Sequence, residues 1–118
     1  MNDIKSMIGK TFTKVYQTGY EELIFENDEE VYTFYHEQDC CEYVRIEDIT
    51  GDLSDLVDSP ITFAEESCSD NSDEYDSATF TFYKFATIHG WVDIRWLGES
   101  NGYYSESVNL HYRKKNLQ

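Results

Sequence analysis

Hydrophobic and polar residues alternate over short stretches in the first half of the chain, with the two-residue period of a β-strand. Between Glu21 and Glu26, for example, Leu23 and Phe25 fall on one face. Thr-Gly and Asn-Asp-Glu sequences separate these stretches and predict turns between them. The pattern predicts four strands in this half of the chain: Thr11–Gln17, Glu21–Glu26, Val31–His36 and Cys41–Ile46.

Two segments depart from the two-residue period and favour short helices. Asn2 or Asp3 is a suitable N-cap for a helix over Ile4–Ile8. Within Asp48–Asp58, leucine and valine recur at helical spacing, and Pro60 prevents the helix from continuing. We therefore expect one or two short helices.

The last third of the chain carries the clearest strand pattern. Along Trp91–Leu97 the large apolar residues occupy every second position, and an aspartate and an arginine lie between them. Asn101 and Gly102 form the dipeptide most typical of a two-residue hairpin turn, because both tolerate a positive φ. Three further strands are therefore predicted, the last two paired by this hairpin: Ala78–Ile88, Trp91–Leu97 and Tyr103–Tyr112.

Together these elements predict an α+β fold dominated by antiparallel sheet, with about seven short strands in two meanders. The length of 118 residues favours a single domain over residues 1–118. The segment of about residues 65–77, with six acidic residues among thirteen, is predicted to be an acidic loop. The basic tail of about residues 113–118 is expected to fray.

Charge is distributed unevenly along this chain, whose formal net charge is -15. Between Glu21 and Asp76 there are twenty acidic residues and one basic residue, Arg45. Such a surface repels nucleic acid and anionic membranes, which are bound through Lys and Arg, and attracts a basic protein surface. We therefore predict a basic protein partner, contacted through these carboxylates: Glu26, Asp28, Glu29, Glu30, Asp70, Asp73, Glu74 and Asp76.

The three cysteines do not form a recognisable disulfide or metal motif. Cys40 and Cys41 are adjacent, Cys68 is distant, and an odd count of this kind favours reduced thiols. His36 adds a further metal-ligating group, but adjacent cysteines in a strand point to opposite faces, and the C-x₂₋₄-C spacing of a zinc site is absent. These four residues are weak metal candidates, and a metal-binding protein that uses His36 and the cysteines is kept as an alternative function. No metal or other cofactor is predicted.

No motif of a known enzyme class is present: the Gly-rich phosphate loops and the G-x-S-x-G nucleophile motif are missing. We therefore expect a protein that is not an enzyme. An alternative is a small-ligand-binding protein that sequesters a signalling nucleotide, with Arg45, Lys84 and Arg95 as the phosphate-binding candidates. Neither an apolar run of membrane-spanning length nor a signal sequence over Met1–Lys10 occurs, which favours the cytoplasm.

Four segments resemble a family of small uncharacterised proteins encoded by tailed phages and prophages. They are Gly9–Phe12 (GKTF), His36–Glu42 (HEQDCCE), Ile46–Leu56 (IEDITGDLSDL) and Tyr83–Ser107 (YKFATIHGWVDIRWLGESNGYYSES). The resemblance implies a phage accessory protein that acts in the cytoplasm of the infected host. By analogy with other acidic phage proteins, it suggests an anti-CRISPR-like antagonist that binds a defence or nucleic-acid-handling protein, in part as a nucleic-acid mimic.

Overall fold

The computed structural model describes residues 3–71 and 77–115. These residues contain eight antiparallel strands and two single-turn 3₁₀ helices. The strands are β1 (Lys14–Thr18), β2 (Glu22–Glu26), β3 (Glu30–Tyr35), β4 (Tyr43–Thr50), β5 (Phe63–Asp70), β6 (Ser77–Thr87), β7 (Gly90–Ser100) and β8 (Asn109–Lys114). The 3₁₀ helices span Ile4–Met7 and Leu53–Leu56. The predicted dominance of antiparallel sheet is therefore confirmed.

The strands form two four-stranded sheets that pack face to face. Sheet one has the order β1-β2-β3-β8, and sheet two has the order β4-β7-β6-β5. Aromatic rings join them across the core: the ring centroids of Phe25 and Phe85 are 4.8 Å apart, and those of Phe34 and Tyr83 are also 4.8 Å apart. Inward residues alternate with outward ones, as the pattern predicts for β2 and β7.

The helical part of the prediction is not borne out, because within the described residues only 3₁₀ turns are present. β4 continues to Thr50 after a register shift between Ile46 and Asp48, which leaves little chain for a helix before Pro60. Asp52 caps the remaining turn by accepting a hydrogen bond from the Ser54 amide. In the same residues, no helix has the length and apolar character needed to cross a membrane.

The hairpin predicted at Asn101-Gly102 is wrong. β7 ends at Ser100, and the chain then crosses to the other sheet, where β8 pairs with β3 rather than with β7. The crossing is held by Glu106, whose carboxylate accepts hydrogen bonds from the hydroxyls of Thr79 and Ser100. These long-range contacts outweigh the local preference for a two-residue turn.

Two segments expected to be irregular belong to strands. Residues 65–70 of the predicted acidic loop lie in β5, which pairs with the long strand β6 and has exposed side chains on both faces beyond Ala64. Arg113 and Lys114 of the predicted tail lie in β8, and the Lys115 amide donates to the Glu29 carbonyl. An edge strand with two polar faces has no alternation, so its sequence resembles a loop.

Candidate functional site

Four of the predicted partner-binding acids lie around the turn between β2 and β3. Asn27 organises this turn, since its side-chain oxygen accepts the amides of Glu29 and Glu30. Asp28 and Glu29 are exposed at the tip, whereas Glu26 and Glu30 are half-buried at the strand ends. These four residues lie close together because they are adjacent in one hairpin.

Four lysines surround the same turn and balance its charge. Lys115 pairs with Glu26 at 2.7 Å, and Lys10 pairs with Glu30. Two more lysines lie nearby on the neighbouring strands: Lys14 is opposite Glu26 on β1, and Lys114 is opposite Glu30 on β8. The hydrogen bond from Lys115 holds the pKa of Glu26 below its usual value. For Glu30, burial opposes ionisation, but hydrogen bonds from Lys10 and Tyr112 outweigh it and lower the pKa.

Asp70, the remaining predicted acid among the described residues, does not join this turn. Asp70 ends β5 opposite Thr79, whose hydroxyl donates to Glu106, so Asp70 lies near the segment that leads into β8. β3 and β8 run antiparallel, so the segment before β8 and the β2–β3 turn lie at opposite ends of β3, a strand about 17 Å long at an ordinary rise. Asp70 and the four acids of the turn therefore do not form one patch. The other three predicted acids lie outside the described residues: Asp73, Glu74 and Asp76.

A cleft of about 690 Å³ opens between the two sheets, on the side where β5 and β8 are the edge strands. Polar and apolar atoms contribute about equally to its lining. Two carboxylates, an asparagine and no Lys, Arg or His are found among the described residues that line it. The lining residues are Asp3, Ile4, Phe34, Tyr35, Glu66, Tyr83, Val108, Asn109 and Leu110.

Two tyrosines that line the cleft donate hydrogen bonds to carboxylates. On sheet two, burial and then hydrogen bonding to the Glu66 carboxylate raise the pKa of Tyr83. On sheet one, the hydroxyl of Tyr35 donates to Glu37 at 3.0 Å, and this bond, followed by burial, raises the pKa of Tyr35. Sequence reasoning missed the site because it assigned Glu66 to a loop, and the alternation that marks an inward-facing residue is absent around it.

A second polar site lies in the loop between β3 and β4, where His36 and Glu42 are buried together. The His36 Nε2 atom is 2.9 Å from the Glu42 carboxylate, and its Nδ1 atom is 2.7 Å from the Ser107 carbonyl. Both ring nitrogens thus face oxygen acceptors. Burial opposes ionisation of Glu42, but bonds from His36 and from the amides of Cys40 and Asp39 outweigh it and lower its pKa to about 2.

The metal candidates do not converge on a site. Cys40 and Cys41 are joined by a disulfide, contrary to the expected reduced thiols, and both His36 ring nitrogens are engaged within the protein. Cys68 is a free, exposed thiol on β5. Within residues 3–71 and 77–115, no group of three or more His, Cys, Asp or Glu residues could hold a metal ion. The disulfide takes up the two thiolates that a metal would need.

The three candidate phosphate-binding residues do lie on one surface, the outer face of sheet two. Each is paired with a carboxylate: Arg45 with Glu99 at 2.6 Å, Lys84 with Asp93 at 3.6 Å, and Arg95 with Glu47 at 2.8 Å. The guanidinium and ammonium groups also lie over the rings of exposed or half-buried aromatic residues. The paired acids compete with any phosphate for these bases, which weakens the nucleotide alternative.

Fold and site together describe a two-sheet antiparallel β protein with an acidic cleft at one open side. Residues 5–110 match a family described as a domain of unknown function, DUF7448. Since the match covers most of the chain, the protein belongs to this family. No curated protein and no solved structure matches it.

Proposed function

We propose that this chain is a non-enzymatic binding protein that docks on a basic surface of another protein through the open side of its sandwich. The observation that carries the proposal is the placement of uncompensated carboxylates there. Asp3 and Glu66 line the cleft, and Glu37 accepts a hydrogen bond from the lining residue Tyr35. Within the described residues none of these three carboxylates forms an ion pair with Lys or Arg. The phage context that the resemblance implies makes a host defence or nucleic-acid-handling protein the proposed target.

The β2–β3 turn and the cleft differ in whether their carboxylates are already paired with lysines. At the β2–β3 turn, a cation from outside competes with resident lysines for the carboxylates of Glu26 and Glu30. Around the cleft, the carboxylates of Asp3, Glu37 and Glu66 accept hydrogen bonds from neutral donors, namely the Lys5 amide and two tyrosine hydroxyls. An incoming base there gains a charge interaction without displacing another base.

The test compares two variants that remove the same amount of charge from different places. In the cleft variant, Asp3→Asn, Glu37→Gln and Glu66→Gln neutralise the open side. In the matched control, Asp28→Asn, Glu29→Gln and Glu30→Gln neutralise the β2–β3 turn. Each protein is immobilised and exposed to bacterial lysate at low and high salt, with and without duplex DNA as competitor.

We expect the wild-type chain and the turn variant to capture the same basic protein at low salt and to release it as salt or DNA is added. The cleft variant should fail to capture it. Equal capture by all three proteins, or capture that does not respond to salt, would contradict an electrostatic contact through the open side.

A further inference from the structure

We propose that the cleft between β5 and β8 binds an organic cation with an apolar stem, either the guanidinium or ammonium side chain of a partner or a free small amine. This inference rests on the proposed function where the cation belongs to a protein partner. The cleft has a volume of about 690 Å³, which falls within the range of small-molecule sites. The chemistry of its walls decides which class of ligand it fits.

The carboxylate of Glu66 gives the cleft its charge. Residues of β5 alternate in direction, so Ala64 and Glu66 face sheet one and Glu65 faces away from it. Ala64 is fully buried, whereas Glu66 is exposed at the opening of the cleft. Asp3 contributes a second carboxylate from the N-cap of the first 3₁₀ helix. An anionic ligand is therefore repelled, and a neutral ligand leaves both carboxylates uncompensated.

Apolar and aromatic side chains in the cleft suit the hydrocarbon stem and the charged group of such a cation. Phe34 and Tyr83 are buried with their rings 4.8 Å apart at the floor, and Tyr35 lies beside them. Because Phe34 and Tyr83 are almost fully buried, the half-buried ring of Tyr35 is the aromatic face left for a guanidinium or ammonium group among these three rings. Val108 and Leu110 provide apolar contact for a hydrocarbon stem.

A purely structural role for Glu66 is the main competing explanation. Charged side chains that point inward on an edge strand discourage pairing with another chain, and β5 is an edge strand. That role requires only a charge on β5. It predicts neither saturable binding nor a difference between a cation and its neutral isostere, so the two explanations can be separated by experiment.

The experiment is an NMR titration of the ¹⁵N-labelled full chain with four probes. Propylguanidinium represents a free small cation, and acetyl-Gly-Arg-Gly-amide represents a partner side chain. Propylurea and the citrulline tripeptide are their neutral isosteres. Glu66→Gln is the test variant, and Glu65→Gln on the opposite face of the same strand is the matched control, since both remove one carboxylate from an exposed position of β5.

We expect saturable shifts of the amides of Glu66, Tyr83 and Asn109, with a dissociation constant of about 1 mM for so small a probe. Glu66→Gln should weaken binding about tenfold, as expected for loss of a charge-assisted hydrogen bond, and Glu65→Gln should have little effect. Binding of the arginine peptide alone identifies a partner side chain as the ligand, whereas binding of propylguanidinium alone identifies a small amine.

Three results would overturn the proposal: no saturable shift with either cation, equal shifts with the neutral isosteres, or equal weakening by both substitutions. The outcome is independent of the lysate experiment. Cation binding in the cleft without any captured protein would refute only the docking function, and capture without cation binding would refute only the cleft.

Discussion

Adding one methyl group at Gly98 of β7 tests whether its contact with Glu106, in the segment that crosses from β7 to β8, positions β8 against sheet one. A Cβ atom at Gly98 would lie 2.6 Å from the Glu106 carbonyl oxygen and 2.8 Å from the Glu106 Cβ atom. Restoring the ordinary contact distance of 3.4 Å requires the crossing segment to move by about 0.8 Å. The obstacle is the backbone of Glu106, which cannot rotate away as a flexible side chain would.

This movement also disturbs the bonds of the Glu106 carboxylate. Thr79 donates to it at 2.6 Å, and a shift of 0.8 Å would stretch that bond towards 3.4 Å. Overpacking of this kind costs about 1–3 kcal/mol, and weakening a hydrogen bond to a charged group adds about 1 kcal/mol. For a chain of this length, each 1 kcal/mol lowers Tm by about 4 °C, so Gly98→Ala should lower Tm by about 8–16 °C.

The assay is thermal unfolding followed by circular dichroism, with amide hydrogen exchange as a local readout. Protection should be lost first in β8 and the crossing segment, and cation binding in the cleft should weaken along with it. Thr79→Val is the control, since it removes one bond to Glu106 without adding bulk at Gly98 and should cost less. A Tm within about 2 °C of wild type for Gly98→Ala would refute the argument that this contact positions β8.

Three further predictions concern the polar contacts. The folded pKa of Glu42 is about 2 against 4.5 in the unfolded chain, so its stabilising contribution is present above about pH 4.5 and is lost as pH falls to 2. Glu42→Gln should flatten that part of a plot of urea midpoint against pH, and an unchanged slope would contradict this. Alkylation of unfolded protein without reductant should label Cys68 only, and all three cysteines after reduction of the Cys40–Cys41 disulfide; three labels before reduction would show free thiols. Lys10→Met should destabilise the chain by up to about 1 kcal/mol by leaving Glu30 without its ion pair, an effect that should shrink at high salt.

Local patterns were sufficient for the parts of the fold whose contacts are local. The turns between β1, β2 and β3 are short, and Leu23 and Phe25 are buried as their alternation predicts. In β4 and β7 the predicted inward residues, including Ile46 and Trp96, are likewise buried. In each of these strands the predicted inward side chains occupy every second position, and that face is the buried one.

The pairing of β8 and the nature of β5 could not be predicted because the deciding contacts are distant in sequence. Asn101-Gly102 is a strong local hairpin signal, yet Glu106 docks against Gly98 and directs the following strand to β3. The cleft could not be predicted for the same reason, because its walls combine residues near the N-terminus, in β5 and in β8. No segment of the sequence displays them together, and Glu66 is one acidic residue among many.

The pairing of β8 with β3 also decides which carboxylates remain available to a partner. Because β8 is antiparallel to β3, its basic end lies beside the β2–β3 turn, where Lys114 is opposite Glu30 and Lys115 reaches Glu26. The basic C-terminal segment is thus used to compensate acids that were separated from it in sequence. At the other open side, Asp3 and Glu66 line a cleft among whose described lining residues there is no Lys or Arg to pair with them. A partner selected by charge should therefore approach the β5–β8 cleft rather than the acidic hairpin that the linear sequence suggests.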